Sequence, residues 1–116
     1  MSRSKDLIHL KHMLDYAQEA EGFIQGKTRA DIELDRLLGL GLVLLLEIIG
    51  EAANRVSSNY RSRHPAIPWA QIISLRHRLI HGYDSVDLDI LWKILTHDLP
   101  VLIRELQGIF STEICS

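Results

Sequence analysis

Between Leu75 and Tyr83 the chain reads Leu-Arg-His-Arg-Leu-Ile-His-Gly-Tyr, which places Arg76, His77, Arg78, His81 and Tyr83 in one short window. Arginine stays charged and grips phosphate through a fork of donors, while histidine exchanges protons near neutral pH. These residue types suit phosphodiester chemistry. Metal-free cleavage of an RNA strand needs a base for the 2′-hydroxyl, an acid for the leaving 5′ oxygen and a cation beside the phosphorane. One copy of the segment supplies only one well-placed pair of such groups, and a symmetric dimer would supply two.

The surroundings favour an anion site. From Ala52 to Tyr83 there is no Asp or Glu, yet Arg55, Arg61, Arg63, Arg76, Arg78, His64, His77 and His81 all fall there. The whole chain carries a formal charge of −2, so the basic character is local. A protein that coats nucleic acid non-specifically needs an excess of Lys and Arg, so any such contact must be confined to this segment. Asp84, Asp87 and Asp89 close it.

Other readings compete. His77 and His81 stand four apart, as two ligands on one helical face do, but for the third ligand a zinc site needs the sequence offers only Cys115 and scattered histidines, and no metal is expected. Arg76 could simply neutralise a carboxylate, and Tyr83 could cap a helix end. On an uninterrupted helix His81 would point about 140° from Arg76 and Tyr83 about 20° from it. One helix therefore presents the groups poorly to one phosphate. Either Gly82 turns the chain back or a second copy completes the site.

Helices must position these groups. Leucine and isoleucine dominate the apolar residues and aromatic residues are few, which favours packed helices over a sheet. A first helix is predicted from a Ser4 cap to about Ala20, with Leu7, Leu10, Leu14 and Ala17 as its stripe and His9 and His12 near the stripe's edge. Gly22 and Gly26 make the turn. Thr28 with Asp31 signals a second helix to about Val56. Its middle, Leu37 to Leu46, is apolar on nearly every side, which one small bundle can hardly cover, so it predicts a subunit interface. Gly39 and Gly41 there permit a close approach or mark a kink. Glu51 and Arg55 predict a surface pair, whereas Glu47 stands among apolar neighbours and calls for Arg76 or Arg78 as its cation.

Ser57 to Ile67 reads as a loop, and Pro68 opens a third helix to about Ile80 or His81. A fourth begins at Ser85 or Asp87, is interrupted by Pro100 and continues from an Asp98 cap through Leu102, Leu106 and Phe110. Trp69 and Trp92 are expected as core anchors. The length of 116 residues predicts one domain over 1–116, an all-α antiparallel bundle of four to five helices. Cys115 is the only cysteine, which fits a reducing cytosol, and no signal peptide is visible. The apolar run Leu37 to Ile49 is too short to span a bilayer. A soluble cytoplasmic protein is expected.

Arg76-His77, three residues and His81 together resemble the Arg-polar-x-x-x-His signature of the HEPN superfamily. The fuller Arg76…His81-Gly82-Tyr83 is similar to the motif of the HepT toxins of HEPN/MNT toxin–antitoxin systems. Ile48-Ile49-Gly50-Glu51-Ala52-Ala53, Ile67-Pro68-Trp69, Val86-Asp87, Trp92 and Asp98-Leu99-Pro100 share in the likeness, which runs from about Asp31 to Leu106. The resemblance implies a homodimeric helical bundle that cleaves RNA without a metal where two motifs meet. By position, Arg76 would bind the phosphate, His81 would act as general acid or base, and His77 would support them. It also implies a partner, a minimal nucleotidyltransferase antitoxin that transfers AMP from ATP to Tyr83. AMP there would add bulk and negative charge where RNA must enter. The alternative is a catalytically silent helical module that binds a nucleotide or such a partner.

Overall fold

A computed structural model describes residues 3–81 and 85–115; Gly82, Tyr83 and Asp84 lie outside the described residues. The order of elements is α1 (Arg3–Phe23), α2 (Arg29–Leu34), α3 (Arg36–Arg55), α4 (Ser58–Ser62), α5 (Trp69–Ile73), α6 (Leu75–Leu79), β1 (Ile80–His81), β2 (Ser85–Val86), α7 (Leu88–Lys93), a π-helical turn (Ile94–Asp98) and α8 (Leu99–Cys115). The fold is all-α, as the apolar periodicity predicts. Helix α3 is its axis: α1 lies along it, α5 and α6 pack against it, and α8 closes over α1.

In α1 the buried stripe is Leu10, Met13, Leu14, Ala17 and Ala20, with Leu7 half-buried. The helix starts at Arg3, so Ser4 lies in its first turn instead of capping it. Asp6, 2% exposed, accepts hydrogen bonds from the Ser57 backbone N–H and hydroxyl, each 2.8 Å. The start of α1 therefore anchors the start of α4, 51 residues away.

The long helix expected from the Thr28–Asp31 capping signal to about Val56 is two. Thr28 and Asp31 form the predicted capping box, with Thr28 N–H donating to Asp31 Oδ2 at 2.8 Å and Asp31 N–H donating to Thr28 Oγ1 at 3.2 Å. The Thr28 backbone N–H first, then its hydroxyl and the charge of Lys27, hold the Asp31 carboxyl below the usual carboxylate range. Asp35 then ends α2 and starts α3, its carboxylate accepting from Leu38 N–H at 3.1 Å. A short acidic side chain that competes for backbone donors is the physical reason for the break.

One face of α3 buries Leu42, Val43, Leu45, Leu46, Ile49, Ala52 and Ala53. The opposite face leaves Leu37 82% and Leu44 56% exposed, with Leu40 between them and Leu34 just before. Within the protomer Gly39 would tolerate a Cβ at ordinary contact and Gly41 faces open space. Gly50 is the glycine that a close approach requires, because a Cβ there would lie 2.8 Å from the Ile72 carbonyl oxygen of α5. At 20 residues α3 is long and apolar enough to cross a bilayer, which corrects the length expected from Leu37 to Ile49. Its packing against α1, α5 and α6 is that of a core helix.

The expected loop from Ser57 contains α4, capped by Ser57 Oγ accepting from Tyr60 N–H at 3.2 Å. The expected third helix is broken at Ser74, whose hydroxyl donates to the Gln71 carbonyl at 3.2 Å. It ends at Leu79, and Ile80 turns extended. An unexpected antiparallel pair follows, with Ile80 opposite Val86 and His81 opposite Ser85. Two β-branched residues paired across one short ladder replace the last helical turn.

Asp87 caps α7, accepting from Ile90 N–H at 3.0 Å. Pro100 does not interrupt the helix that follows. A proline lacks the N–H for the regular ladder and its ring clashes with the carbonyl four residues earlier; the π-helical turn just before it widens the ladder, with Leu99 N–H reaching Ile94 O. Asp98 lies inside that turn and is not a cap. Trp69 is buried and donates from Nε1 to the His64 carbonyl at 3.0 Å, while Trp92 packs half-buried against the core.

Candidate functional site

Arg76 is the second residue of α6, and α6 leads without a gap into the strand that carries His81. Leu75 and Leu79 are buried and fix the helix to α3, which turns Arg76 and His77 outward. Because the helix stops at Leu79, the angular offsets of an uninterrupted helix do not apply to His81, and chain reversal brings β2 back beside it. The backbone of His81 is in that pair; its side chain, like the whole of Tyr83, lies outside the described residues.

Arg76 Nε lies 3.7 Å from Glu47 Oε1 on α3, so of the two cations expected for Glu47 it is Arg76 that approaches. The arginine side chain is 73% exposed and the carboxylate 29%. At that distance the contact is an ion pair and not a hydrogen bond, and an exposed pair contributes well under about 1 kcal/mol. A phosphate, which binds a guanidinium through two short charge-assisted bonds, outcompetes it. Glu47 therefore orients Arg76 without sequestering it.

Arg78 points the other way. Its Nη2 is 3.6 Å from Asp98 Oδ2 in the π-helical turn, with the arginine 29% exposed. This pair ties α6 to the C-terminal helix. His77 is exposed on the outer side of α6. The structure thus brings Arg76 together with Glu47, and separates Arg78 from both.

Beside this corner, α2, α3, β1, β2 and α7 enclose a groove of about 660 Å³. Leu40, Val43 and Leu44 form its apolar floor, with Glu47 and Ile80 at the end nearest Arg76 and Arg36 on its rim. Arg36 was not among the residues singled out by type and spacing; the signal for it is Asp35, whose cap starts α3 one residue earlier and sets its facing. Asp98 was missed as an ion-pair partner because 20 residues separate it from Arg78. Among the described residues no cluster of three metal-ligating side chains occurs.

The profile of the family described as Ribonuclease HepT-like matches residues 13–109. A Thermococcus cleftensis protein named probable ribonuclease HepT is 35% identical over 98 residues, covering 81% of this chain and 88% of its own length. A Caldanaerobacter subterraneus protein with a provisional RNase name is 30% identical over 90% of this chain and 94% of its own length. A Methanocaldococcus jannaschii protein, also provisionally named as an RNase, is 29% identical over 92% of this chain and 98% of its own. No solved structure matches the chain at a significant level. The matched span takes in α3, the Glu47–Arg76 corner, the hairpin and the π-helical turn, and the chain belongs to the HepT-like ribonuclease family.

Proposed function

We propose that the chain is an endoribonuclease toxin of the cytoplasm, cutting RNA without a metal at an Arg76–His81 site completed by a second copy. The observation that carries this reading is Arg76 itself: a solvent-facing guanidinium, loosely oriented by Glu47, on the helix that runs directly into the strand bearing His81. The names of the relatives add the substrate class.

In the proposed reaction a histidine takes the proton of the 2′-hydroxyl as its oxygen attacks phosphorus. Arg76 bears the charge of the phosphorane. A second proton donor, in this reading the partner's His81, protonates the departing 5′ oxygen, leaving a 2′,3′-cyclic phosphate and a 5′-hydroxyl. No cofactor takes part. The apolar stripe Leu37, Leu40 and Leu44 supports dimerisation through α3, since exposed leucines in a row are what a partner surface covers. His77 and Arg78 hold the motif in place, Arg78 through Asp98. Control is by a nucleotidyltransferase antitoxin that uses ATP to place AMP on Tyr83, whose position in the motif next to His81 would set the modification at the entrance for RNA.

The test is cleavage of total RNA by the wild type and by Arg76→Ala and His81→Ala, with intact mass recorded with and without the antitoxin. Loss of cutting in both variants with the fold retained, and added AMP mapping to Tyr83 with loss of cutting, are the expected results. Undiminished cleavage by both variants sinks the site. No cleavage by any preparation and no change in mass leave a catalytically silent binding module.

A further inference from the structure

The acid-free segment from Ala52 to Tyr83 does not gather into one patch. Its second half supplies Arg76 and the hairpin, whereas its first half forms α4 and the turn after it, at a different place on the surface. There a shallow depression of about 660 Å³ has an apolar wall of Pro65, Ile67, Pro68, Trp69 and Ala70, with Ser58, Arg61, Ser62 and Gln71 as its polar lining.

Three observations make this a binding surface for an anion. Arg61 Nε is buried and has no hydrogen-bond partner among the described residues, although roughly nine in ten buried polar groups are satisfied. No carboxylate among the described residues lies within ion-pair distance of Arg61 or Arg63, whereas Arg55, Arg76 and Arg78 each have one. The local frame is also rigid: Asp6 fixes Ser57, Tyr60 and His64 stack at 4.5 Å and 25°, and the Arg63 guanidinium carbon sits 5.3 Å from the Tyr60 ring centre. Arg63 is thus engaged by the ring, and the Ser62 hydroxyl donates to the Asn59 carbonyl at 2.8 Å. That leaves Arg61, Ser58 and Gln71 as the polar residues lining the depression whose side chains no other polar contact among the described residues engages.

We infer that this depression is a phosphate subsite for the RNA strand, holding a backbone phosphate away from the scissile one through Arg61, Ser58 and Gln71. The inference rests on the ribonuclease reading above. Gln71 stands on α5, which lines the depression and immediately precedes the helix of Arg76, so α5 joins the depression to the reactive corner. A site that engages only the backbone phosphate is indifferent to sequence. Its role is to lengthen the footprint, favouring long RNA over short fragments.

The experiment measures binding separately from cutting. A fluorescein-labelled single-stranded RNA of twelve nucleotides is titrated by anisotropy against the His81→Ala chain, with and without Arg61→Gln, over a range of salt. Arg61→Gln should weaken binding about 5–10-fold and reduce the salt slope by about 0.7, the contribution of one phosphate on a single strand. A labelled dinucleotide, too short to reach the depression, should bind both chains equally. Should Arg61→Gln fail to fold, Ser58→Asp places a negative charge on the rim without touching the buried nitrogen, and should weaken the twelve-nucleotide probe at least as much. Equal binding of the long probe by all foldable variants overturns the inference, as does a loss equal for long and short probes. Cleavage by the unsubstituted chain, run alongside, tests the ribonuclease reading independently.

Discussion

Replacing Gly50 with alanine tests whether the approach of α3 to α5 sets the site. The new Cβ would stand 2.8 Å from the Ile72 carbonyl oxygen, and also 3.6 Å from that of Ile73. A carbon and an oxygen in contact prefer a separation several tenths of an ångström longer, and the oxygen belongs to backbone that cannot rotate aside. Overpacking of this kind costs about 2–3 kcal/mol, against about 1 kcal/mol regained because alanine favours helix over glycine. The net loss is then about 1–2 kcal/mol, or about 4–8 °C in Tm for a chain of this size. Gly108 supplies the control: it is exposed inside α8 with nothing within 4 Å of an added Cβ, so Gly108→Ala should raise stability by about 1 kcal/mol. Thermal and urea unfolding of both variants measure the contrast. Activity adds a second readout, since relief of the clash pushes α5 and with it α6, so RNA cleavage by Gly50→Ala should fall by more than the folded fraction does. A Gly50→Ala chain as stable as Gly108→Ala would refute the close approach, and full activity per folded molecule would refute its coupling to Arg76.

Three further outcomes are expected. Asp6→Ala removes the acceptor of two short bonds and leaves the Ser57 N–H unmatched, so urea unfolding should show a loss of about 2–3 kcal/mol, and a loss below about 0.5 would mean that solvent replaces the carboxylate. The Asp31 carboxyl is held below its ordinary value of 3.8, so its contribution is complete above that pH and is lost as pH falls through the lower folded value. Helical signals from α2 followed by NMR should therefore weaken at the acid end, an effect that Asp31→Asn removes; an Asp31 titration midpoint at or above 3.8 would contradict the capping box. The double substitution Leu40→Glu with Leu44→Glu should convert a dimer to a folded monomer in native mass spectrometry, because both side chains are exposed in the protomer; a dimer that persists places its interface elsewhere.

Features that depend on a residue and its near neighbours were legible in the chain. The Thr28–Asp31 box, the Glu51–Arg55 pair at 3.7 Å and the Leu10, Leu14, Ala17 stripe follow from spacings of three and four. Glu47 was legible for a different reason: a single carboxylate in an apolar run must find a cation, and the helix three elements later held the arginines. The breaks at Asp35 and Ser74 were not, because each is a contest between a side-chain hydrogen bond and one more helical turn, decided by less than about 1 kcal/mol. Pro100 misled for a related reason. Its missing donor can end a helix or be absorbed by a wider turn, and packing of Ile94, Leu95 and Leu99 on the core chose the second. Arg61 could be seen as part of a basic run, but its orphaned nitrogen is a property of the folded surface alone.

The tie from Asp6 to Ser57 bears on how far this chain can be shortened. The family profile matches residues 13–109, yet the carboxylate that sets the start of α4 lies about two turns earlier in α1. A truncation made where the profile begins would cut α1 in half and leave the turn that displays Arg61 without its anchor.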